Sequence, residues 1–285
     1  MPFKDAKTDK LFTRLDDLLD RLETIIPTDK SSDTDWTYQA YRWMNHSLHG
    51  ISDHHTVDIS DLLHVQRQSD LLLKNTRQFV KGYPANNALL WGARGTGKSS
   101  LIKAQLNQFS DQGLCLVEIS KKESENLFEI IETLKINDRK YILYMDDLSF
   151  EGEDESYKAL KATLEGSIQP QPDNIIIYAT SNRRHLMPES MQDNLDSEMV
   201  EGQLHPSDAI EEKISLSDRF GLWLSFHPFT QQQYLDVVTQ ALDGYKIELT
   251  KEVSTQAIRF ATQRGSRSGR IACQFATFWL GQTLE

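Results

Sequence analysis

The chain of 285 residues, 39% of them apolar, is long enough to build one large domain, or two to three small ones, around buried cores. No apolar run is long enough to span a bilayer, and the polar start MPFKDAKTDK lacks the apolar segment of a secretory signal, so we expect a cytoplasmic protein with no membrane partner. The net charge of −11 weighs against a general nucleic-acid binder, because phosphate contacts need a basic face, and RFATQRGSRSGR (259–270) is the one locally basic stretch.

The first predicted region, residues 1–58, is helical. KLFTRLDDLLDRLETIIP carries a stripe of leucine and isoleucine with charges opposite, which is typical of an amphipathic helix, and Pro27 ends it. After a polar loop, WTYQAYRWMNHSL predicts a second helix that is rich in aromatic residues. Its Tyr38, Tyr41 and Trp43 could stack on a base, but packing in a core or against a partner is favoured.

The second predicted region, residues 59–229, is an α/β core. ISDLLHVQRQSDLLLKNTRQFVKGYP predicts a helix that begins near Leu62 and ends at Gly82 and Pro84. From Asn86 onward, helical patterns alternate with five short apolar runs: NALLW, GLCLVEI, KYILYMDD, NIIIYATSN and FGLWLSF. This alternation predicts a five-stranded parallel sheet with helices on both faces, where continuous apolar strands are buried on both sides.

The third predicted region, residues 230–285, carries helical signals only, at 231–242, 252–263 and 268–280. The predicted fold class is therefore α/β, with a helical N-terminal region and a small helical C-terminal module. Cys115 and Cys273 lie far apart and fit neither a metal pattern nor a disulfide framework, so we expect two reduced structural thiols.

The stretch LLWGARGTGKSS contains the full pattern G-x-x-x-x-G-K-S/T between a predicted strand and a predicted helix. Its glycines let backbone N–H groups turn inward to phosphates, and the helix N-terminus adds its dipole and free donors. Lys98 is expected to neutralise the β- and γ-phosphates of a nucleotide, and Ser99 to bind Mg²⁺. The expected nucleotide-binding residues are Gly92, Ala93, Arg94, Gly95, Thr96, Gly97, Lys98, Ser99 and Ser100, with no specific role assigned to Arg94.

Asp146 and Asp147 directly follow the apolar run YILYM. A buried strand that ends here delivers carboxylates to the C-terminal edge of the sheet, beside the phosphate loop. Asp146 is the expected magnesium ligand, and Asp147 is placed to orient or deprotonate an attacking water, with Glu151 as the alternative base. A pair of solvated turn acids is the competing interpretation, and the phosphate loop upstream favours the catalytic one.

These two motifs, their order and the helical C-terminal module resemble the AAA+ ATPases over about residues 55–280. More narrowly, NNALLWGARGTGKSSLIKA, YATSNRRHL and EEKISLSDRFGLWLSF look like a bacterial AAA+ family catalogued as domain of unknown function 815. The resemblance implies a P-loop core with a C-terminal helical lid, ATP and Mg²⁺ as cofactors, and a ring or helical homo-oligomer. Most AAA+ relatives carry Asp-Glu where this chain has Asp146-Asp147, so the second acid reaches less far.

The resemblance also implies further site residues. Asn182 matches the sensor 1 position, which hydrogen-bonds the attacking water or the γ-phosphate. Arg219, in SDRFGL, matches the arginine finger that reaches the γ-phosphate of a neighbouring subunit. Arg270, in SGRIACQF, matches the sensor 2 arginine that clamps ATP from the lid, and Arg267 is the alternative.

Three other segments bear on the resemblance. DISDLLHVQRQ occupies the place of the linker that packs on adenine, which makes Leu63 and His64 candidate base contacts. The segment 183–213 is long and acidic, and either contacts a partner or is disordered. An aromatic-hydrophobic-glycine pore loop is not obvious after the second strand of the α/β core, which counts against a polypeptide unfoldase.

Two functions are compatible with these features. In the first, the protein hydrolyses ATP to ADP and phosphate and couples this to a conformational change that moves an unknown protein or nucleic-acid partner. In the second, it is an ATP-dependent switch or loader that acts on DNA or a DNA-bound protein and turns over little ATP.

Overall fold

The structure, a computed structural model, describes residues 34–283 except residue 55 and residues 151–154, 166–170, 184–197, 201–202 and 206–215. The first predicted helix, Glu151 and most of the acidic segment 183–213 therefore lie outside the described residues.

The described strands are β1 (Ala40–Met44), β2 (Ser47–Ile51), β3 (Ala88–Gly92), β4 (Leu114–Ile119), β5 (Lys140–Met145), β6 (Ile175–Ser181), β7 (Glu198–Val200), β8 (Gln203–His205) and β9 (Leu222–Phe226). Seven of them form one sheet in the order β2-β1-β4-β5-β6-β3-β9, and β7 pairs with β8 in a separate antiparallel hairpin. Strands β3, β4, β5, β6 and β9 are the five apolar runs of the sequence, and they pair in parallel as predicted.

The aromatic segment WTYQAYRWMNHSL, predicted as a helix, forms β1 and the start of β2 instead, so the described sheet has seven strands rather than five. Asn45 and His46 at the tip have φ of 51° and 58°, the left-handed backbone that a two-residue hairpin turn requires. Tyr41 and Trp43 are buried and Arg42 between them is exposed, an alternation that suits a strand with one buried face. Because β1 pairs in parallel with β4, the hairpin extends the core sheet.

The helices with described bounds are α1 (Gln66–Val80), α2 (Lys98–Phe109), α3 (Leu127–Lys135), α4 (Glu155–Glu165), α5 (Gln231–Asp243), α6 (Lys251–Gln263) and α7 (Gly269–Thr283). Short 3₁₀ helices lie at Ile59–Asp61, Ser110–Gln112 and Lys122–Asn126. Helices α1 and α2 pack on one face of the sheet, and α3 and α4 pack on the other. Helices α5, α6 and α7 share an apolar core of their own.

Helix α1 begins at Gln66 rather than near Leu62, because His64 has a φ of 61° that an α-helix does not accommodate. None of the helices in the described ranges is both long enough and apolar enough to cross a bilayer.

The topology brings the predicted site residues to one place. Strands β5, β6 and β3 are parallel neighbours, so their carboxyl ends meet at the same edge of the sheet. The phosphate loop continues from β3, Asp146 follows β5, and Asn182 follows β6. The three polar segments therefore lie side by side at the position where ligands bind in open α/β sheets.

Candidate active site

The phosphate loop joins β3 to α2 through backbone that only glycine accommodates at two points. Gly92 has a φ of +128°, and a β-carbon there would lie 2.0 Å from the carbonyl oxygen of Phe226 in β9. Gly95 has a φ of +70°, and its β-carbon would lie 2.9 Å from Ser268 Oγ, one residue before α7. The loop is therefore confined between β9 and the start of α7, and α2 begins at Lys98.

The ammonium group of Lys98 lies against the loop itself. The residue is 6% exposed, and Nζ donates to the carbonyl oxygens of Gly92 and Ala93 at 2.7 Å each. It also donates to Asn182 Oδ1 at 3.3 Å, which connects the loop to the end of β6. The amine is thus held where the N-terminus of α2 and the N–H groups of the loop favour a bound anion.

Three cations converge on this position. Burial lowers the pKa of Lys98 to about 8, although the carboxylates of Asp147 and Asp146 act in the opposite direction. The positive charges of Arg94 and Arg270 lower the pKa of Lys98 further, so both guanidinium groups lie close enough to repel it. Such a concentration of positive charge is suited to a polyphosphate.

Asp146 accepts two hydrogen bonds on one carboxylate oxygen. Ser99 Oγ donates to Oδ1 over 2.7 Å, and Thr180 Oγ1 of β6 donates to the same atom over 2.6 Å. Partial burial opposes ionisation of Asp146, but the hydrogen bonds from Thr180 and Ser99 outweigh it and hold the pKa of the carboxyl below its ordinary value. Asp146 is therefore an ionised carboxylate at neutral pH, directly beside a serine hydroxyl.

Asp147 turns its carboxylate toward Asn182. Its backbone is left-handed, with a φ of 51°, and its N–H donates to Thr180 Oγ1 over 2.9 Å. Asn182 Nδ2 donates to Asp147 Oδ1, while Asn182 Oδ1 accepts from Lys98. A chain of hydrogen bonds thus runs from the phosphate loop through Asn182 to the second acid.

These side chains line a cavity of about 860 Å³, within the range of about 300–1,000 Å³ typical of ligand sites. One part of the lining is polar and is formed by residues 94–100, the two acids, Asn182 and Arg270. Another part is apolar and consists of Leu62, Leu63, Val65, Phe229, Val237 and Ala241. A cavity that combines a cationic part with an apolar part fits a ligand that has an anionic group and an apolar group.

Most of the sequence-predicted residues meet here. Arg94, Gly95, Thr96, Gly97, Lys98, Ser99, Ser100, Leu63, Asp146, Asp147, Asn182 and Arg270 line the cavity, and Gly92 and Ala93 supply carbonyl groups to Lys98. Of the two candidates for sensor 2, Arg270 belongs to the described lining and the exposed Arg267 does not.

His64, the other candidate base contact, lies outside the described lining of the cavity. Its φ of 61° directs the chain so that Nε2 lies 2.9 Å from Asp236 Oδ2 of α5, and its ring centroid is 6.1 Å from that of Phe229. His64 therefore links the segment before α1 to α5. Arg219 is exposed in the turn before β9, its N–H donates to Leu216 O over 3.2 Å, and it too lies outside the described lining.

Two features of the site were not found from the sequence. Thr180, which is 1% exposed and bonds to both acids, lies in β6 two residues before Asn182, which directly follows that strand. The period of two of an extended chain places both side chains on the same side. This period of two was the available signal. The second feature is the part of the cavity lining that Val237 and Ala241 of α5 form. Their sequence signal is the apolar pattern of a helix, and packing in a core produces the same pattern.

The residues present fit a magnesium nucleotide. The Ser99 hydroxyl and the Asp146 carboxylate lie 2.7 Å apart, and both are hard oxygen ligands of the kind that Mg²⁺ prefers. Two protein oxygens leave room for phosphate and water, which complete most magnesium sites of this type.

Solved structures of similar fold include two variant forms of RuvB from Thermotoga maritima, both with a TM-score of 0.51. They are 16% and 15% identical to this chain, over 78% and 75% of it and 61% and 60% of RuvB. ORC1 of Aeropyrum pernix, solved in complex with DNA, aligns with a TM-score of 0.51 and 17% identity over 79% of this chain and 62% of ORC1. This chain thus spans about 60% of the length of these proteins, and at such identities the likeness concerns the fold alone.

No curated protein matches the chain. The family described as "Protein of unknown function (DUF815)" matches residues 36–283, which include nearly every described residue. The protein therefore belongs to the DUF815 family, and its core has the fold of the AAA+ P-loop ATPases.

Proposed function

We propose that this protein binds Mg·ATP, hydrolyses it to ADP and phosphate, and uses the reaction to change the conformation of a partner. The observation that carries the proposal is a hydrogen-bonded network that joins the ends of three strands. It links Lys98 to Asn182, Asn182 to Asp147, and Ser99 to Asp146, all on the lining of one cavity. This network supports the catalytic interpretation of Asp146 and Asp147, because solvated turn acids would bond to water rather than to residues that follow other strands.

The cationic part of the cavity is suited to the triphosphate. Lys98, Arg94 and Arg270 offset its negative charge, and the N-terminus of α2 presents unpaired N–H groups to it. The apolar part, including Leu63 and Val237, is suited to the adenine ring.

Ser99 and Asp146 are the residues that would hold Mg²⁺, because their oxygens are adjacent and Asp146 is ionised. An ion held there would supply positive charge to offset the negative charge that develops on the phosphate oxygens during transfer. The chain contributes the orientation of Asp146, whose Oδ1 is fixed by Ser99 and Thr180.

In the hydrolysis step, a water oxygen attacks the γ-phosphorus and the bond from this phosphorus to the β–γ bridging oxygen breaks. ADP leaves with the bonding electron pair, and Asp147 accepts the proton that the water loses. Asn182, which donates to Asp147 Oδ1, orients that carboxylate. Lys98, held by the loop, stabilises the negative charge on the phosphate oxygens.

Arg219 is proposed to act on the nucleotide of a neighbouring protomer. It is exposed and lies outside the described lining of the cavity in its own chain. An arginine that reaches the transferring phosphoryl group from another subunit is worth a factor of about 10³–10⁵ in turnover. The proposal therefore includes a ring or an open helical homo-oligomer.

The test is the ATPase rate per subunit as a function of protein concentration. It compares the wild type, Arg219→Ala, and Arg77→Ala as a control that removes an exposed arginine of α1. For the wild type and Arg77→Ala, we expect the rate to rise with concentration. We expect Arg219→Ala to bind ATP normally and to lose at least about 1,000-fold in turnover.

Two results would contradict the proposal in different ways. A rate that is independent of concentration and insensitive to Arg219→Ala removes the shared site but leaves hydrolysis. The absence of turnover at every concentration, with ATP still bound, removes hydrolysis.

A second candidate function is a switch or loader that acts on DNA and turns over little ATP. This function is favoured by a group of exposed arginines on α6, α7 and the turn between them: Arg259, Arg264, Arg267 and Arg270. They form a locally basic segment although the net charge of the chain is −11. This function would be supported by DNA binding that is stronger with ATP and weakens steeply with salt. The double substitution Arg259→Ala/Arg267→Ala would abolish that binding. DNA binding unaffected by ATP and by these substitutions would exclude it.

A further inference from the structure

Thr180 contacts each of the three consecutive residues that follow β5. Its Oγ1 donates to Asp146 Oδ1 over 2.6 Å and accepts from the N–H of Asp147 over 2.9 Å. Its carbonyl oxygen accepts from the N–H of Leu148 over 2.7 Å. A single residue of β6, 1% exposed, therefore holds the turn that carries both acids.

The directions of the two hydroxyl bonds are fixed by chemistry. The Asp147 N–H can only donate, so Thr180 Oγ1 accepts from it, and the single hydroxyl proton of Thr180 is donated to Asp146 Oδ1. The β-branched side chain of threonine has few accessible rotamers, which keeps Oγ1 in this position.

The backbone of Asp147 requires such support. A φ of 51° is uncommon for a residue with a side chain, although Asp tolerates it better than most. The bonds from the N–H groups of Asp147 and Leu148 to Thr180 lie on either side of this left-handed residue and hold it. In this conformation the carboxylate of Asp147 accepts from Asn182.

We propose that Thr180 is a positioning residue for ATP hydrolysis, whose hydroxyl fixes the magnesium ligand Asp146 and the base Asp147 at the same time. The inference rests on the proposed function, since it assigns these roles to the two acids. It predicts that the hydroxyl of Thr180, rather than its volume, is required.

Thr76 provides a matched comparison, because it is also a buried threonine whose hydroxyl makes two hydrogen bonds. Its Oγ1 donates to Leu72 O over 2.9 Å and lies 2.9 Å from Tyr178 Oη, between α1 and β6. Thr76 is 0% exposed and is not among the described residues that line the cavity. Replacing it with valine removes a buried hydroxyl of the same kind without touching either acid.

The experiment compares the wild type, Thr180→Val, Thr180→Ser and Thr76→Val. A fluorescent ATP analogue reports nucleotide binding as a function of Mg²⁺ concentration, and again in EDTA without Mg²⁺. Steady-state ATPase assays give kcat and KM, and thermal unfolding gives Tm. If Thr180→Val does not fold, Thr180→Ala replaces it, because alanine removes the hydroxyl without putting a methyl group in its place.

For Thr180→Val we expect the Mg²⁺ concentration at half-saturation to rise about tenfold and kcat to fall by at least about tenfold, because two bonds to site residues are lost. Nucleotide binding in EDTA stays at the wild-type level, since it depends on the phosphate loop. Thr180→Ser restores most of both quantities. Thr76→Val lowers Tm and leaves the Mg²⁺ dependence unchanged.

Other outcomes separate this inference from the proposed function. If Thr180→Val matches the wild type in Mg²⁺ dependence and kcat, or if Thr180→Ser fails to restore them, Thr180 has only a packing role and the ATPase proposal stands. If the wild type binds Mg·ATP without turnover, hydrolysis fails, and the Mg²⁺ dependence of binding alone decides for or against Thr180. If the wild type binds no nucleotide, both proposals are overturned.

Discussion

The N–H of Gly269 donates to the carbonyl oxygen of Gly95 over 2.8 Å, which joins the phosphate loop to the first turn of α7. The approach is close because neither residue has a side chain. A β-carbon on Gly269 would lie 3.3 Å from Gly95 O, and one on Gly95 would lie 2.9 Å from Ser268 Oγ. Since α7 shares an apolar core with α5 and α6, this hydrogen bond connects the loop to the three-helix unit.

Gly95→Ala is expected to lower the free energy of unfolding by more than the cost of the left-handed backbone alone. The left-handed φ costs about 1–2 kcal/mol for a residue with a β-carbon, and the contact with Ser268 adds to it. Gly265→Ala is the matched control, because Gly265 has a φ of +67° and nothing within 4 Å of its β-carbon position. Urea denaturation measures both free energies of unfolding, and equal losses in the two variants would show that the contact with Ser268 contributes nothing.

Lys98→Ala is expected to abolish tight nucleotide binding and to leave the protein folded. Removing one partner of a buried, charge-paired contact costs about 2–5 kcal/mol, equal to a loss in ATP affinity of about 30-fold to several-thousand-fold. The fold is retained because the substitution also removes the cost of burying an ammonium group. Calorimetric titration measures the affinity for ATP, and circular dichroism measures the retention of the fold. Lys251→Ala, which removes an exposed lysine of α6, is the control. A Lys98→Ala variant with wild-type affinity would falsify the nucleotide site.

ATP binding is expected to take up protons near pH 8. The pKa of Lys98 is lowered to about 8, chiefly by burial, so its amine is only about half protonated at that pH. Phosphate groups next to the amine favour its charged form and raise the pKa, so binding takes up about half a proton at pH 8 and almost none at pH 6.5. Calorimetric titrations in buffers of different ionisation enthalpy measure this uptake. Lys98→Arg, which stays charged, is expected to take up none from this group.

The two thiols are expected to differ in reactivity. Cys115 is buried in β4, and burial raises its pKa to about 11, so it stays protonated and unreactive in the folded protein. Cys273 is exposed and belongs to the lining of the cavity. Iodoacetamide at pH 7.5 is therefore expected to modify Cys273 alone, and ATP to slow the reaction. Mass spectrometry of the wild type and of Cys273→Ser checks this, and modification that ATP does not slow would place the nucleotide away from α7.

The parallel strands could be predicted because each is a continuous apolar run bounded by turn residues. A strand buried on both faces leaves that pattern, and the residue after it, such as Asp146, is then assigned to the edge of the sheet. The hairpin of β1 and β2 leaves a weaker trace, because its aromatic residues fit the buried side of a helix or of a strand. What decides is the left-handed backbone at Asn45 and His46, which becomes evident only when the strands pair.

The phosphate loop and the acids could be predicted because their function depends on local spacing. The roles of Thr180 and His64 could not, because they depend on contacts between distant segments. Thr180 of β6 meets Asp146 and Asp147, which follow the neighbouring strand β5, and His64 meets Asp236 of α5, far along the chain. No sequence period relates Thr180 to the acids or His64 to Asp236. The period of two places Thr180 only on the same side as Asn182, and its bonds to the acids become evident in the folded chain.

The hairpin of β1 and β2 has a consequence for any shortened form of this protein. It covers the outer edge of β4, with Ala40, Tyr41 and Arg42 paired to residues 116–118. A chain that started at residue 59, where the sequence suggests a boundary, would leave that edge open and would lack Tyr41, Trp43 and Leu48, which belong to the same apolar core as Cys115 and Val117. Unpaired apolar edges recruit strands from other molecules, so such a fragment would aggregate, and a well-behaved one must begin before Trp36.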